Sequence, residues 1–295
     1  MHDYMNTREV ADYLRIKERK VYDLVRTKRI PCTRAAGKWL FPKTLIDLWI
    51  LRNTRLDPDL TASARPATVI VGSHDPLLEW TARESGCDFA ILFGGSLDGL
   101  RRFAQGEASV CGLHVFDAET QTYNENAVRS TLEGLDVVLI EWAQREQGLV
   151  VAGGNPLRIK KLSDLREKRV RFADRQEGAG SHLLLEYLLS KQGLGLKDLN
   201  RKTPPALNET DVAVMVSEGA ADAGLAIRAV AAQFKLEFVP LHKERYDIAV
   251  RRREYFEPNF QRFLAFTRSP RFADKAETLG GYDTAGYGRV VYNSP

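Results

Sequence analysis

The chain is poor in cysteine. Its 295 residues hold three, Cys32, Cys87 and Cys111, scattered and odd in number. That excludes a disulfide-framed scaffold and suits reduced thiols in a cytoplasmic protein. Long apolar runs are missing as well, and no stretch approaches the roughly 20 residues that a membrane-spanning helix needs. The N-terminus, MHDYMNTREVADYL, has no basic region followed by an apolar core, so no export signal and no membrane partner are expected. Motifs that carry chemistry are equally scarce. There is no HExxH and no CxxC pair for zinc, no GxxxxGKS/T phosphate loop, and no third glycine to complete a dinucleotide fingerprint. Gly94-Gly95-Ser96-Leu97-Asp98 lacks the final glycine of a nucleophile elbow. The carboxylates show no paired acid/base spacing. The expectation is a binding protein rather than an enzyme, with no metal cation and no cofactor.

What is present is ordinary for a globular protein, 44% hydrophobic and 28% charged, and the length suits two or three compact units. The charge is unevenly spread. Residues 1–55 hold 13 Lys/Arg against 6 Asp/Glu, and the remainder holds 30 against 33. A small basic head on a slightly acidic body suggests that the head alone meets a polyanion.

In the head, Thr7 can cap a first helix whose apolar face is Val10, Ala11 and Leu14. After a break at Arg15-Ile16-Lys17, a second helix turns Val21, Leu24 and Val25 inward and leaves Arg19, Lys20, Asp23 and Arg26 outward. Two short helices with a tight turn form a helix-turn-helix, whose second helix enters the major groove. Ile30 to Phe41 reads as two extended arms turning at Gly37, a wing. Pro42 suits the first position of a third helix with Leu45, Ile46 and Trp49 inward. Trp39 reads as core rather than contact.

This order resembles the excisionase-type winged helix, a relative of MerR-like DNA-binding domains. The resemblance rests on Thr7-Arg8-Glu9-Val10-Ala11-Asp12-Tyr13-Leu14, Val21-Tyr22, Ile30-Pro31, Gly37-Lys38-Trp39-Leu40-Phe41 and Trp49-Ile50. Lys17 departs from the Ser or Thr common there, which weakens the cap and adds a cation. The resemblance implies double-stranded DNA as partner, through Lys17, Arg19, Lys20, Arg26, Arg34 and Lys38. A winged helix is expected over 1–51 and a linker over 52–65, where polar residues, alanine and prolines dominate.

Beyond the linker, strand and helix signals alternate from Ala67, which means an α/β layer with a largely parallel sheet. Ligands in such sheets sit beyond the carboxyl ends of strands, where Ser73, Ser96 and His114 fall. Val137 to Ile140 and Gln147 to Pro156 read as two separate strands, with return strands at Phe238–Leu241 and Tyr246–Val250. Two stretches share one pattern. Val170 to Leu189 runs from strand through Gly178-Ala179-Gly180 to a helix at Ser181, and Ile91 to Phe103 runs through Gly94-Gly95 to a helix at Ser96. Helix starts offer free N–H groups and partial positive charge, so the two junctions suggest one anion pocket. Each serine, Ser73 included, reads either as a helix cap or as a ligand contact. Arg175 reads as a ligand cation or a hinge ion pair. His74 and His114 belong to a residue type more often structural than liganding.

Residues 66–295 resemble the periplasmic-binding-protein-like domains of the two-lobed type 2 class that includes molybdate- and tungstate-binding proteins. The matching pieces are Gln147-Gly148-Leu149-Val150, Gly154-Asn155-Pro156, Asp164-Leu165, Arg175-Gln176 with Gly178-Ala179-Gly180, Gly219 with Ala221-Asp222-Ala223-Gly224, and Glu244 with Tyr246-Asp247. Ser181-His182 stands where the family often has Thr-Arg. The resemblance implies one lobe over about 66–145 and 240–295 and a second over about 146–239. It also implies an oxyanion ligand, molybdate or tungstate, held by Ser73, His74, Ser96, His114, Arg175, Gly178, Gly180, Ser181 and Tyr246. The expected protein is a ligand-responsive transcriptional regulator, a homodimer or higher even oligomer. The alternatives are a pterin-binding module of molybdenum-cofactor metabolism and an enzyme acting on an anionic substrate.

Overall fold

The computed structural model describes residues 4–35, 37–53 and 68–295. The chain separates into two compact units, Met1–Arg65 and Pro66–Pro295. From residue 54 on, the expected linker lies outside the described residues, as does Ala67. Arg52 and Asn53 close a helix instead.

The first unit runs β1 (Tyr4–Met5), α1 (Thr7–Leu14), α2 (Glu18–Arg26), β2 (Thr33–Ala35), β3 (Lys38–Pro42) and α3 (Lys43–Asn53). Asn6, not Thr7, caps α1. Its side chain accepts from the N–H groups of Arg8 and Glu9 at 2.9 and 3.0 Å, and Glu9 accepts from the Asn6 N–H at 2.8 Å. Thr7 is already inside the helix. Lys17 stands at the N-cap of α2 with no side-chain bond. The wing forms with Gly37 at φ 76° between β2 and β3. Pro42 ends β3 rather than opening α3, because β1 pairs with β3 at Tyr4–Pro42 and extends it. Val10, Ala11, Val21, Phe41 and Ile46 are the core, while Leu45 faces outward. Trp39 packs against that core, with the Arg34 guanidinium 5.5 Å from its ring centre.

The second unit begins β4 (Val69–Gly72), α4 (Pro76–Glu84), β5 (Ala90–Phe93), α5 (Ser96–Ala104), β6 (Val110–Leu113), β7 (Phe116–Asp117), β8 (Thr122–Tyr123) and α6 (Glu125–Thr131). Then come β9 (Val137–Val151), α7 (Ser163–Glu167), β10 (Arg171–Ala173), α8 (Gly180–Ser190), β11 (Asn200–Arg201), α9 (Glu209–Ser217), β12 (Ala223–Ile227) and α10 (Arg228–Gln233). The chain closes with β13 (Glu237–Arg251), α11 (Arg252–Tyr255), α12 (Pro258–Phe266), α13 (Pro270–Leu279), β14 (Tyr282–Asp283) and β15 (Val290–Asn293).

Its centre is an antiparallel ribbon of β9 and β13, each 15 residues long. Three parallel strands attach to each end of the ribbon, on opposite edges. β6, β4 and β5 join β13 at Asp247–Val250, and β12, β10 and β11 join β9 at Gln147–Val151. These are the two lobes. One apolar cluster lies on the first (Val71, Leu100, Phe103, Leu113, Val128, Leu139) and one on the second (Leu149, Leu165, Phe172, Leu185, Leu225). β9 is one continuous strand where the sequence reads two, and β13 likewise. Their buried polar residues Glu141, Arg145, Gln147 and Glu244 break the apolar pattern without breaking the backbone. The glycine- and tyrosine-rich stretch from Gly280 to Asn293 adds to the same sheet, where β14 and β15 pair with β9.

Candidate functional site

Strand ends and helix starts converge between the lobes. Ser73 follows β4, His114 follows β6, Ser96 opens α5 and Ser181 is in the first turn of α8. All four are buried. The Ser73 hydroxyl lies 2.8 Å from His114 Nε2, and the Ser96 hydroxyl accepts the His114 N–H at 3.3 Å. The second lobe meets them through Gly180, where an added Cβ would stand 2.5 Å from the His114 carbonyl oxygen and 2.9 Å from its ring. Only glycine permits that approach. The Gln176 amide also donates to the Gly94 carbonyl at 3.3 Å, and the Leu97 N–H to the Gly178 carbonyl at 3.4 Å. Next to Gly180, the buried Ser181 hydroxyl has no hydrogen-bond partner among the described residues. The structure thus gathers six of the nine sequence-derived ligand residues: Ser73, Ser96, His114, Gly178, Gly180 and Ser181.

Beneath them runs a buried polar chain that the sequence reading missed. His114 Nδ1 is 2.8 Å from Glu244 Oε2, and Arg145 Nε donates to Glu244 Oε1 at 2.8 Å. Arg145 Nη1 donates to Asp75 at 2.9 Å, and Asp75 also accepts from the Leu78 N–H, the Trp142 indole and the Tyr282 hydroxyl. Gln147 donates to Glu209 at 2.7 Å, and Glu209 accepts the Ile227 N–H at 2.9 Å. Burial works to raise the Glu244 carboxyl, but the charge of Arg145 and the hydrogen bonds from His114 and Arg145 outweigh it and hold it down to about 2. An ionised carboxylate only accepts, so Nδ1 of His114 carries a hydrogen. In the neutral ring Nε2 is then an acceptor, and the Ser73 hydroxyl donates to it.

The other three residues have different places. Tyr246 is fully buried, and its hydroxyl donates to the Ser73 carbonyl at 2.5 Å, so it fixes the Ser73 loop rather than facing a ligand. A Cβ at Gly112 would fall 2.0 Å from that hydroxyl. His74 pairs with Glu79 at 3.0 Å and sets its ring edge-on to Phe93. Arg175 makes no ion pair among the described residues. Its guanidinium donates to the Ala206 and Leu207 carbonyls at 3.2 and 3.1 Å, and burial lowers its pKa.

Beside Tyr246, Asp247 accepts from Asn124 at 2.7 Å and from Arg245 at 3.0 Å. Burial raises its carboxyl from 3.8 to about 7 against the pull of Arg245. A raised carboxyl binds its proton more tightly in the folded chain, so its contribution to stability falls as pH rises from 3.8 to about 7. Asp247→Asn should remove that fall. Denaturant midpoints at pH 5 and pH 8 check it: the variant should lose less than the wild type over this interval. An equal loss contradicts the assignment.

In the first unit, Lys17, Arg19, Lys20, Arg26, Arg34 and Lys38 are all exposed, and among the described residues only Arg26 of these has a carboxylate partner, Asp23 at 3.3 Å. Tyr22, half exposed on α2, joins this face.

Residues 78–268 match the PBP superfamily domain and residues 4–54 match a helix-turn-helix domain. The chain belongs to the PBP superfamily domain family and carries an N-terminal helix-turn-helix domain. It is 27% identical over 298 residues to the uncharacterized protein YvgK of Bacillus subtilis (strain 168), covering 96% of each chain. Among solved structures it is similar to the sulfate-binding protein SubI from Mycobacterium tuberculosis H37Rv, at 16% identity and TM-score 0.52 over 72% of this chain and 85% of that one. It is similar to Campylobacter jejuni PEB3 with L-phospholactate bound, at 16% and 0.50 over 72% and 98%. It is also similar to a mutant of Corynebacterium glutamicum OxyR with hydrogen peroxide bound, at 14% and 0.51 over 93% and 89%. At these identities the likeness is one of fold.

Proposed function

We propose that the chain is a cytoplasmic, ligand-responsive transcriptional regulator, whose first unit binds duplex DNA and whose second takes a small oxyanion between its lobes, molybdate or tungstate first. The observation that carries this is the Ser181 hydroxyl. It is buried and has no partner among the described residues, in the first turn of an eleven-residue helix, next to the Gly180 that meets His114, the residue to which the Ser73 and Ser96 hydroxyls bond. A buried hydroxyl without a partner costs about 1–3 kcal/mol, and an oxyanion would supply the acceptor. Helix N-termini and hydroxyls also suit an anion. Sulfate and phospholactate in the related folds point to the same ligand chemistry.

The ligand would act by favouring closed lobes, and closure would reset the spacing of two DNA-binding heads in a homodimer. A thermal-shift panel on the full chain tests the ligand class. Molybdate and tungstate should raise the melting temperature more than sulfate or phosphate. A pterin that shifts it while every oxyanion fails would move the site to molybdenum-cofactor metabolism.

DNA contact has its own expected result. Removing charge at Arg19, Lys20 or Arg34 should weaken duplex binding and flatten its salt dependence by about one unit of slope per lost phosphate contact. Fluorescence anisotropy across a salt series checks this, and unchanged slopes in all three variants would sink it.

A second reading has one observation in its favour. Ser73, His114 and Glu244 stand in the order and at the separations of a nucleophile, its base and the base's orienting acid. Ester turnover that disappears in Ser73→Ala would favour an enzyme.

A further inference from the structure

A cavity of about 600 Å³ includes His74 in its lining but none of Ser73, Ser96, His114 and Ser181. Its walls come from both lobes. His74, Glu79, Trp80 and Arg83 line it from the first, Thr210, Gln233 and Phe234 from the second, and Lys275 and Leu279 from α13. A tetrahedral oxyanion would fill a small part of it, whereas organic ligands occupy pockets of roughly 300–1,000 Å³.

The charges around it cancel in pairs, with one exception. Glu79 holds both His74 and Arg83, and Glu84 holds Arg271 at 2.6 Å. Lys275 has no carboxylate partner among the described residues. Its ammonium lies 5.7 Å from the centre of the Trp80 ring. The cavity therefore offers one unpaired cation, an apolar wall of Trp80, Phe234 and Leu279, and polar groups at Thr210 and Gln233.

We propose that this cavity is a second ligand site, distinct from the serine cluster, and that it takes a flat organic monoanion of the aromatic carboxylate class. The carboxylate pairs with Lys275, and the ring lies along Trp80 and Phe234. Trp80 and Phe234 pack against one continuous apolar core that includes Leu77, Val230 and Leu279, so these walls stand ready for a flat ring before it binds.

The test uses the full chain with 2-naphthoate and its uncharged counterpart 2-naphthamide, followed by calorimetry and tryptophan fluorescence. One equivalent of naphthoate should bind at least tenfold more tightly than the amide. Lys275→Gln should erase that difference, and Trp80→Leu should weaken both probes. Ser181→Ala should leave naphthoate binding unchanged, and excess molybdate should not displace it. No naphthoate binding at millimolar concentration overturns the proposal, as does equal binding of acid and amide by the wild type. Weakening by Ser181→Ala places the acid in the serine cluster and overturns the second site while leaving the oxyanion reading intact.

Discussion

Replacing Arg145 by Met should destabilise the C-terminal unit by about 3–5 kcal/mol, a fall in melting temperature of roughly 10 °C. Arg145 is 1% exposed and is the cation shared by Glu244 and Asp75, both fully buried. Without it, two carboxylates are left in the interior facing each other's charge. Methionine fills the space, so the loss reads as electrostatic rather than as a cavity. Acid should worsen the wild type through the same residues. Glu244 is held down to about 2, so its stabilisation is full above its ordinary 4.5 and is lost as pH falls toward about 2. Combining Arg145→Met with Glu244→Gln and Asp75→Asn should recover part of the loss, because neutral amides do not need the cation. Chemical denaturation of the three proteins decides it. If the single variant unfolds as the wild type does, the buried chain is not what holds the ribbon and the Ser73 loop together.

That chain is also where the sequence was hardest to read. The serines, His114 and the glycines were legible because strand ends and helix starts have local signals: an apolar run, then glycine, then a hydroxyl. Arg145, Gln147 and Glu244 lie in the middle of long strands, where local rules expect apolar residues. Their partners are 62 to 130 positions away along the chain. Their alternation, with Glu141, Arg145 and Gln147 at odd positions of one strand, is the available signal, whereas the apolar runs at its two ends taken alone read as two strands. Tyr246 was legible as a cleft residue but not as a support, since nothing local shows that its hydroxyl is taken by the Ser73 carbonyl. In the head the pattern was short-range and most of it was readable. The exceptions are Asn6, Pro42 and Leu45, where pairing of β1 with β3 shifts the helix boundaries by one residue.

The serine cluster gives the other large expected effect. Ser181→Ala should weaken oxyanion binding about tenfold or more, since a hydrogen bond to a charged group is worth about 1.5–3 kcal/mol. The same change should leave the ligand-free protein as stable as the wild type or more so, because it removes a buried hydroxyl that has no partner. Ser96→Ala should match the loss in affinity without the gain in stability, since the Ser96 hydroxyl already accepts the His114 N–H. Opposite signs for affinity and stability at one residue separate a ligand contact from a structural serine.

The most direct measurement is therefore isothermal titration of molybdate into the full-length wild type, Ser96→Ala and Ser181→Ala, with the melting temperature of each ligand-free protein taken alongside. The account predicts one molybdate per wild-type chain, binding at least tenfold weaker in both variants, and a Ser181→Ala melting temperature no lower than that of the wild type. Equal molybdate affinity in all three proteins would contradict it and place the ligand away from the junction of α5 and α8.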